Sequence, residues 1–488
     1  MKRERLRFCV LAGAALAAGL LLRLWFVTHL AVVAGDSLIY GGIAKNWLLH
    51  GVYGYNLSAA ASGPIQVLPT TIRLPGYPLF LALCFRLFGM EHYHAVMYVQ
   101  VAVDLLTCWL ASTLAGHLFG KRAALVVLWM AALCPFTANY VAIPLTETLV
   151  LASIATTLYG FARWQDAGLG FNRWLWLVAA ALAASILLRP EQGLFAAAVV
   201  PPMLWTSIRA SGRSGHTLLA ALPALAVALC ALFPLVPWTV RNWRTFHIVQ
   251  PLVPKYANDP GELSPIGFGR WYRTWAFEFA SNEGVYWPYY GDTIQFDDLP
   301  NRAFRLGTDA DSDSLHTRTR ALIRDYNANP IGTPQIDARF GALAAERIHA
   351  HPVLYYIGLP IARLLDMTLR PRTEMMDIPA EWWRWHDDPK DFAFAATYAA
   401  LNLAYIAAGS AGFVAWRRCR WLSVSRQRYG ALAFAMAASL LLRAILLLTL
   451  DNSEPRYTLE FFPVLLVWAG AFFASTPQPA TAEERGGR

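Results

Sequence analysis

Charge is scarce in this chain. Only 15% of its 488 residues are Asp, Glu, Lys or Arg, whereas 56% are hydrophobic. Soluble domains run nearer a quarter charged, and a mean hydropathy of +0.37 points the same way. An ordinary soluble globular protein is therefore excluded. Acid is scarcer than base, giving a net charge of +9. The basic residues sit in short loops between apolar blocks rather than on one folded face, which excludes a nucleic-acid partner. Cysteine is sparse too: Cys9, Cys84, Cys108, Cys134, Cys230 and Cys419 all lie in or beside apolar blocks. None form a CxxC pair, so neither a zinc site nor a redox motif is supported. Residues 241–392 hold no cysteine and hence no internal disulfide. Walker A, GxGxxG, HExxH and GxSxG patterns are missing, so soluble nucleotide substrates are not indicated. No repeat has a solenoid period.

Long apolar blocks, by contrast, are abundant, and each is long enough to cross roughly 30 Å of hydrocarbon. The first, Phe8 to Val33, follows a basic MKRERLR. It is too long for a signal peptide and has no small-residue cleavage site before Asp36, so it reads as a retained helix. Further spans are predicted at 95–117, 122–142, 144–163, 173–189, 191–208, 217–239, 393–416, 428–450 and 456–475. Two apolar pieces, 76–89 and 352–370, are ambiguous. If neither crosses, the short outer loops hold only Lys45, Arg73, Arg189 and Arg456, while the N-terminus, Lys121/Arg122, Arg163/Arg173, Arg209/Arg213, the Arg417–Arg428 loop and the C-terminus fall on the cytoplasmic side. The expected fold class is an all-α polytopic membrane protein with ten full spans, within a range of 10 to 13. Residues 1–240 form an N-terminal transmembrane module whose first outer loop is 34–75. Residues 241–392 form a periplasmic or extracellular segment, with 352–370 as a membrane-surface helix. Residues 393–475 are C-terminal transmembrane helices, and 476–488 a disordered cytoplasmic tail.

Several residues at the outer ends of these blocks carry possible chemistry. In GDSLIYGGIAKNWLLHGVYG, Asp36 follows directly on an apolar helix. It reads either as the N-cap of a helix over Ser37–His50 or as a functional carboxylate at the membrane face. Arg73 precedes a rigid Pro-Gly-Tyr-Pro turn. Its guanidinium at headgroup level suits a phosphate, which arginine grips with paired hydrogen bonds, or simply snorkels to anionic lipid. Glu147, in LTETLVLA, opens a span; it complements the helix dipole, but a carboxylate near bilayer depth is usually functional. Arg73, Arg189, Arg241 and Arg456 all fall at outer helix ends, where basic residues are otherwise rare, and together suggest a site for an anionic lipid headgroup. Inside the spans Arg23, Asp104 and Arg443 need partners. An Asp104–arginine pair is the structural answer, and a proton relay for a transporter is the alternative. The aromatic-rich stretch around Trp271 and Trp275 reads as a small-domain core with interfacial anchors or as a surface that stacks on sugar rings.

These motifs, in this order, resemble the membrane glycosyltransferases of the GT-C fold. The resemblance is to bacterial relatives of dolichyl-phosphate-mannose–protein mannosyltransferases and of the aminoarabinose transferases that modify lipid A. It is carried by GDSLIYGGIAKNWLLHGVYG, RLPGYPLFLALCFRLFG, LTETLVLA, LLRPEQG, PWTVRNW and EPRYTLEFFP. It implies transfer of a sugar from a polyprenyl-phosphate donor to a hydroxyl acceptor at the outer membrane face. Asp36 then matches the general base and Glu147 the second acid. Arg73 binds donor phosphate with Arg189, Arg241, Arg456 and Tyr457, while Tyr40, Tyr77, Trp271 and Trp275 are candidate sugar or acceptor contacts. Many relatives carry two adjacent acids in the first loop, but here Ser37 follows Asp36, which speaks against a divalent metal there. No cofactor is firmly implied, and a divalent metal is the one alternative left open. The expected partners are the lipid-linked donor, membrane lipids and a glycan, lipid or protein acceptor. The expected location is the inner, cytoplasmic membrane, with the N-terminus cytoplasmic. The competing reading is a transporter or flippase for lipid-linked sugars.

Overall fold

The computed structural model describes residues 2–57, 66–211, 217–294, 313–419 and 422–474, so the tail expected at 476–488 lies outside the described residues. Where apolar sequence runs on without proline, the chain forms single long helices, α1 (Lys2–His29) being the first. A polar stretch then holds α2 (Asp36–His50) and an antiparallel hairpin, β1 (Gly54–Leu57) and β2 (Gln66–Pro69), with Tyr55 opposite Leu68. The short apolar α3 (Gly76–Phe88) leads into α4 (Tyr93–Phe119). Pro135 cannot donate to the preceding turn. The chain therefore breaks between α5 (Lys121–Ala132) and α6 (Pro135–Ala138) and bends by 51°. α7 (Glu147–Asp166) and α8 (Arg173–Leu188) come next; Asn172 caps α8 by accepting from the Trp174 and Leu175 amides at 3.0 and 3.3 Å. α9 (Gly193–Ser211), α10 (Thr217–Leu232), α11 (Leu235–Phe246) and α12 (Ile266–Arg273) complete the first half. The second contains α13 (Asp313–Ala328), α14 (Pro334–Ala350), α15 (Leu359–Leu369), α16 (Pro389–Arg418), α17 (Ser423–Leu448) and α18 (Phe462–Ala469).

Seven described helices are long and apolar enough to cross a membrane, or eight if the bent α5–α6 pair is one span. The other two expected spans coincide with α7 and α8. At 16 residues α8 is short for a crossing. α7 is 20 residues long but rich in Thr and Ser, and most of it is buried against α4, α8 and α17. A helix shielded by its neighbours does not need a fully apolar surface. The ambiguous piece at 76–89 is α3, with 13 residues, and the one at 352–370 is a short π-helical turn followed by the 11 residues of α15.

Packing fixes how these helices sit against one another. A Cβ on Gly76 would stand 2.5 Å from the Leu187 carbonyl, so only glycine lets the start of α3 touch the end of α8. Within the bundle, Arg23 Nε donates to Asp104 Oδ2 at 2.7 Å and its Nη1 donates to the Gly19 and Ala132 carbonyls; the pair is shut off from solvent. The expected Asp104–arginine pair is thus a bridge between α1 and α4. A second hydrophobic cluster gathers Phe268, Trp271, Tyr272, Trp275, Tyr289, Tyr326 and Phe340, with Phe268 stacked on Tyr289 at 3.6 Å.

Candidate functional site

Segments far apart in sequence meet at one cavity of about 270 Å³. Asp36 and Tyr40 enter from the first turns of α2, Arg73 from the strand-to-α3 turn, and Glu147 from the first turn of α7. Arg189 and Glu191 come from the α8–α9 turn, Lys255 from the loop after α11, and Arg456 and Tyr457 from the turn before α18. The Arg73 turn is held from behind, because Asp259 Oδ1 accepts from the Thr71 amide at 2.7 Å and from its hydroxyl at 2.9 Å. The touching of Gly76 and Leu187 brings Arg73 beside Arg189.

Acids and bases in the cavity hold one another. Arg73 Nη2 donates to Asp36 Oδ1 at 2.6 Å, and Arg456 Nη2 to Asp36 Oδ2 at 3.3 Å. Arg189 Nη1 reaches Glu147 Oε1 at 3.3 Å, and its Nε reaches Glu191 at 2.7 Å. Arg456 also pairs with Glu454 and stands 4.0 Å from Glu147. Along the cavity wall four cations (Arg73, Arg189, Lys255, Arg456) meet three carboxylates (Asp36, Glu147, Glu191), and two more acids, Glu454 and Asp451, pair with Arg456 and Lys255. Burial pushes the Asp36 carboxyl up, but the Arg456 and Arg73 guanidiniums outweigh it and hold it at about 2. Burial raises the Tyr40 phenol to about 12, so it remains a hydrogen-bond donor beneath Arg73, whose guanidinium lies 5.6 Å from the ring centre.

The structure therefore brings Asp36, Tyr40, Arg73, Glu147, Arg189, Arg456 and Tyr457 together. It does not bring the remaining candidates there. Arg241 donates to the Thr70 and Tyr53 carbonyls, both at 2.7 Å, and ties the hairpin to α11 from behind. Tyr77 is fully buried and donates to Gln100 at 2.7 Å. Trp271 and Trp275 are buried in the second cluster, where an aromatic face has no room for a sugar. The expected capping role of Asp36 is corrected as well. Asp36 is itself the first residue of α2, Gly35 occupies the cap position, and no side chain caps the helix. Three acids and bases at the cavity carry weak sequence signals. Glu191 stands next to the Arg189–Pro190 step, and an acid two places after an arginine is the signal it offers. Lys255 lies in an irregular loop with no local pattern. Glu454 precedes Pro455 and Arg456 and orients the latter. Behind the wall Arg443 answers its own need for a partner, pairing with Glu460 at 2.9 Å and Glu191 at 3.5 Å. Among the described residues no group of three His, Cys, Asp or Glu side chains could hold a metal ion. With Asp36 facing two guanidiniums, the donor set of the cavity does not suit a divalent cation.

Solved structures run parallel to this chain at low identity. The oligosaccharyltransferase AglB of Archaeoglobus fulgidus, in complex with an inhibitory peptide and a dolichol-phosphate, aligns at 11% identity and a TM-score of 0.47. The alignment covers 96% of this chain and 50% of AglB, so the chain spans half the length of that enzyme. ArnT of Cupriavidus metallidurans, bound to undecaprenyl phosphate, aligns at 16% identity and a TM-score of 0.36 over 94% of this chain and 77% of its own. No curated protein sequence matches. Residues 70–238, a stretch holding Arg73, Glu147 and Arg189, match the family model of the dolichyl-phosphate-mannose-protein mannosyltransferases, and it is to this family of membrane glycosyltransferases that the chain is similar.

Proposed function

We propose that the protein is a glycosyltransferase that moves a sugar from a polyprenyl-phosphate donor to a hydroxyl acceptor, with Asp36 as general base. One observation carries the reading: a carboxylate, Asp36, and the arginines Arg73, Arg189 and Arg456 share one small cavity, with Arg73 and Arg456 both on Asp36. A donor phosphate takes Arg73 and Arg456 from Asp36, since guanidinium binds phosphate with paired, charge-assisted bonds. Stripped of them, the carboxylate becomes the stronger base that proton abstraction needs. It accepts the proton of the acceptor hydroxyl as that oxygen attacks the anomeric carbon. The bond from that carbon to the phosphate oxygen breaks, and the polyprenyl phosphate leaves with its charge held by the arginines. One acid acting as base fits a single displacement with inversion. Glu147 keeps Arg189 aimed into the cavity. The cavity lies at the basic-poor ends of the helices, which supports an outer-face site in the cytoplasmic membrane with the N-terminus inside. Asp104, the acid that a proton-coupled transporter would use, is instead occupied by Arg23.

The test is sugar transfer in proteoliposomes from a panel of polyprenyl-phosphate sugars, wild type beside Asp36→Asn. Transfer or slow donor hydrolysis that falls at least about 10²-fold in the variant is expected, the usual scale for a general base. Movement of lipid-linked sugar across the bilayer without bond cleavage would overturn the proposal.

A further inference from the structure

A second, larger cavity, of about 1000 Å³, lies elsewhere. It opens between the last turn of α7, the second half of α9 and the first turns of α17. Gln165 lies on its wall, whereas Glu147, at the other end of the same helix, lies on the wall of the catalytic cavity. At 1.5 Å per residue the two sites stand about 27 Å apart along α7, close to the thickness of a hydrocarbon layer.

The lining has two characters. One side is apolar and aromatic: Trp205 and Phe434 are 63% and 65% exposed, far more than large aromatic side chains in a finished core. The other side is basic, with Arg209, Arg426 and Arg428. Arg428 is already neutralised by Asp166 at 2.5 Å. Arg426 donates to the Trp416 and Arg417 carbonyls, which fixes its position but leaves its charge unanswered. Arg209 has no ion-pair or hydrogen-bond partner among the described residues. The side-chain oxygen of Gln165 is buried without a partner, an acceptor in need of a donor. Pro201 and Pro202 lack amide hydrogens, so α9 forgoes two of its backbone hydrogen bonds where it borders the cavity.

We propose that this cavity binds an anionic phospholipid whose headgroup bears a hydroxyl, of the phosphatidylglycerol type. Its phosphate sits between Arg209 and Arg426, a headgroup hydroxyl donates to Gln165, and the upper acyl chain lies along Trp205 and Phe434. Two guanidiniums without an acid partner among the described residues can share the two free oxygens of one phosphodiester, and the orphaned acceptor separates a hydroxylated headgroup from a choline one. The site is independent of the catalytic cavity and of the chemistry proposed there.

Native mass spectrometry of the detergent-solubilised full-length protein tests this, with phosphatidylglycerol, phosphatidylcholine, undecaprenyl phosphate and inorganic phosphate as separate probes. The wild type is expected to retain phosphatidylglycerol at least tenfold more tightly than phosphatidylcholine. Arg209→Glu loses that preference, Arg209→Lys keeps it, and Trp205→Ala weakens retention of the lipid. Arg73→Ala, in the other cavity, leaves phosphatidylglycerol binding unchanged. The inference fails if phosphatidylcholine binds equally, if Arg209→Glu binds like wild type, or if millimolar inorganic phosphate displaces the lipid. It fails also if undecaprenyl phosphate alone is retained. Arg209 is exposed, so the melting temperature of its variants serves as the folding control.

Discussion

Arg73 and Arg456 each hold one oxygen of Asp36, and this shared grip shapes what single substitutions do. On the proposed role of Arg73 as a phosphate contact made before the chemical step, Arg73→Ala should raise the donor KM more than it lowers kcat. A kcat loss with unchanged KM in steady-state transfer assays would count against that role. The acid dependence has a definite sign. A carboxyl held at about 2 stays ionised, and its pairs stay whole, above the ordinary carboxylate range; they are lost only as pH falls towards 2. In the free enzyme Asp36 therefore contributes no acid limb to kcat/KM above about pH 4. Arg456→Gln removes one of the two positive charges that hold Asp36 down, so the limb should move upward. A profile of kcat/KM against pH for both proteins shows whether it does. At this scale the site is partly legible in the sequence. Asp36, Arg73, Glu147, Arg189 and Arg456 can be picked out because charge at the end of an apolar block is conspicuous. Arg241 carries the same signal yet serves two backbone carbonyls, and only the hairpin's position reveals that.

Among the elements, α3 and α8 make the contact on which the cavity depends. Gly76→Ala would drive a methyl group into the Leu187 backbone, and overpacking of this kind costs about 1–3 kcal/mol. A lowered melting temperature, together with activity reduced beyond what the melting loss explains, is expected because Arg73 and Arg189 flank that contact. Unchanged melting would show that the helices can part without harm. Helix existence is readable from apolar length, and each expected span falls on helix. The break inside the 122–142 span follows from Pro135, whereas the shielding of the polar α7 is not readable, since neither hydropathy nor length reports which helix the others surround. Nor can periodicity distinguish stacking tryptophans from core ones: Trp271 and Trp275 belong to one aromatic stretch, which looks the same in either role.

For the molecule as a whole, the buried Arg23–Asp104 bridge joins the first helix to the fourth. Arg23→Leu leaves a carboxylate stranded among apolar side chains and should cost about 3–5 kcal/mol, whereas Arg23→Leu with Asp104→Leu should recover most of that. Thermal melting of the two variants checks the order; a double variant no better than the single would mean that the residues do not act as a pair. The bridge also bears on biogenesis. Its partners are 81 residues apart in the chain. At a synthesis rate of about 5–20 residues per second, α1 waits about 4–16 s with a bare guanidinium before α4 emerges. During that interval the nascent helix offers Arg23 only its own Gly19 carbonyl, without the carboxylate that completes the pair. The first helix is thus an unfinished half of a joint until the fourth is made.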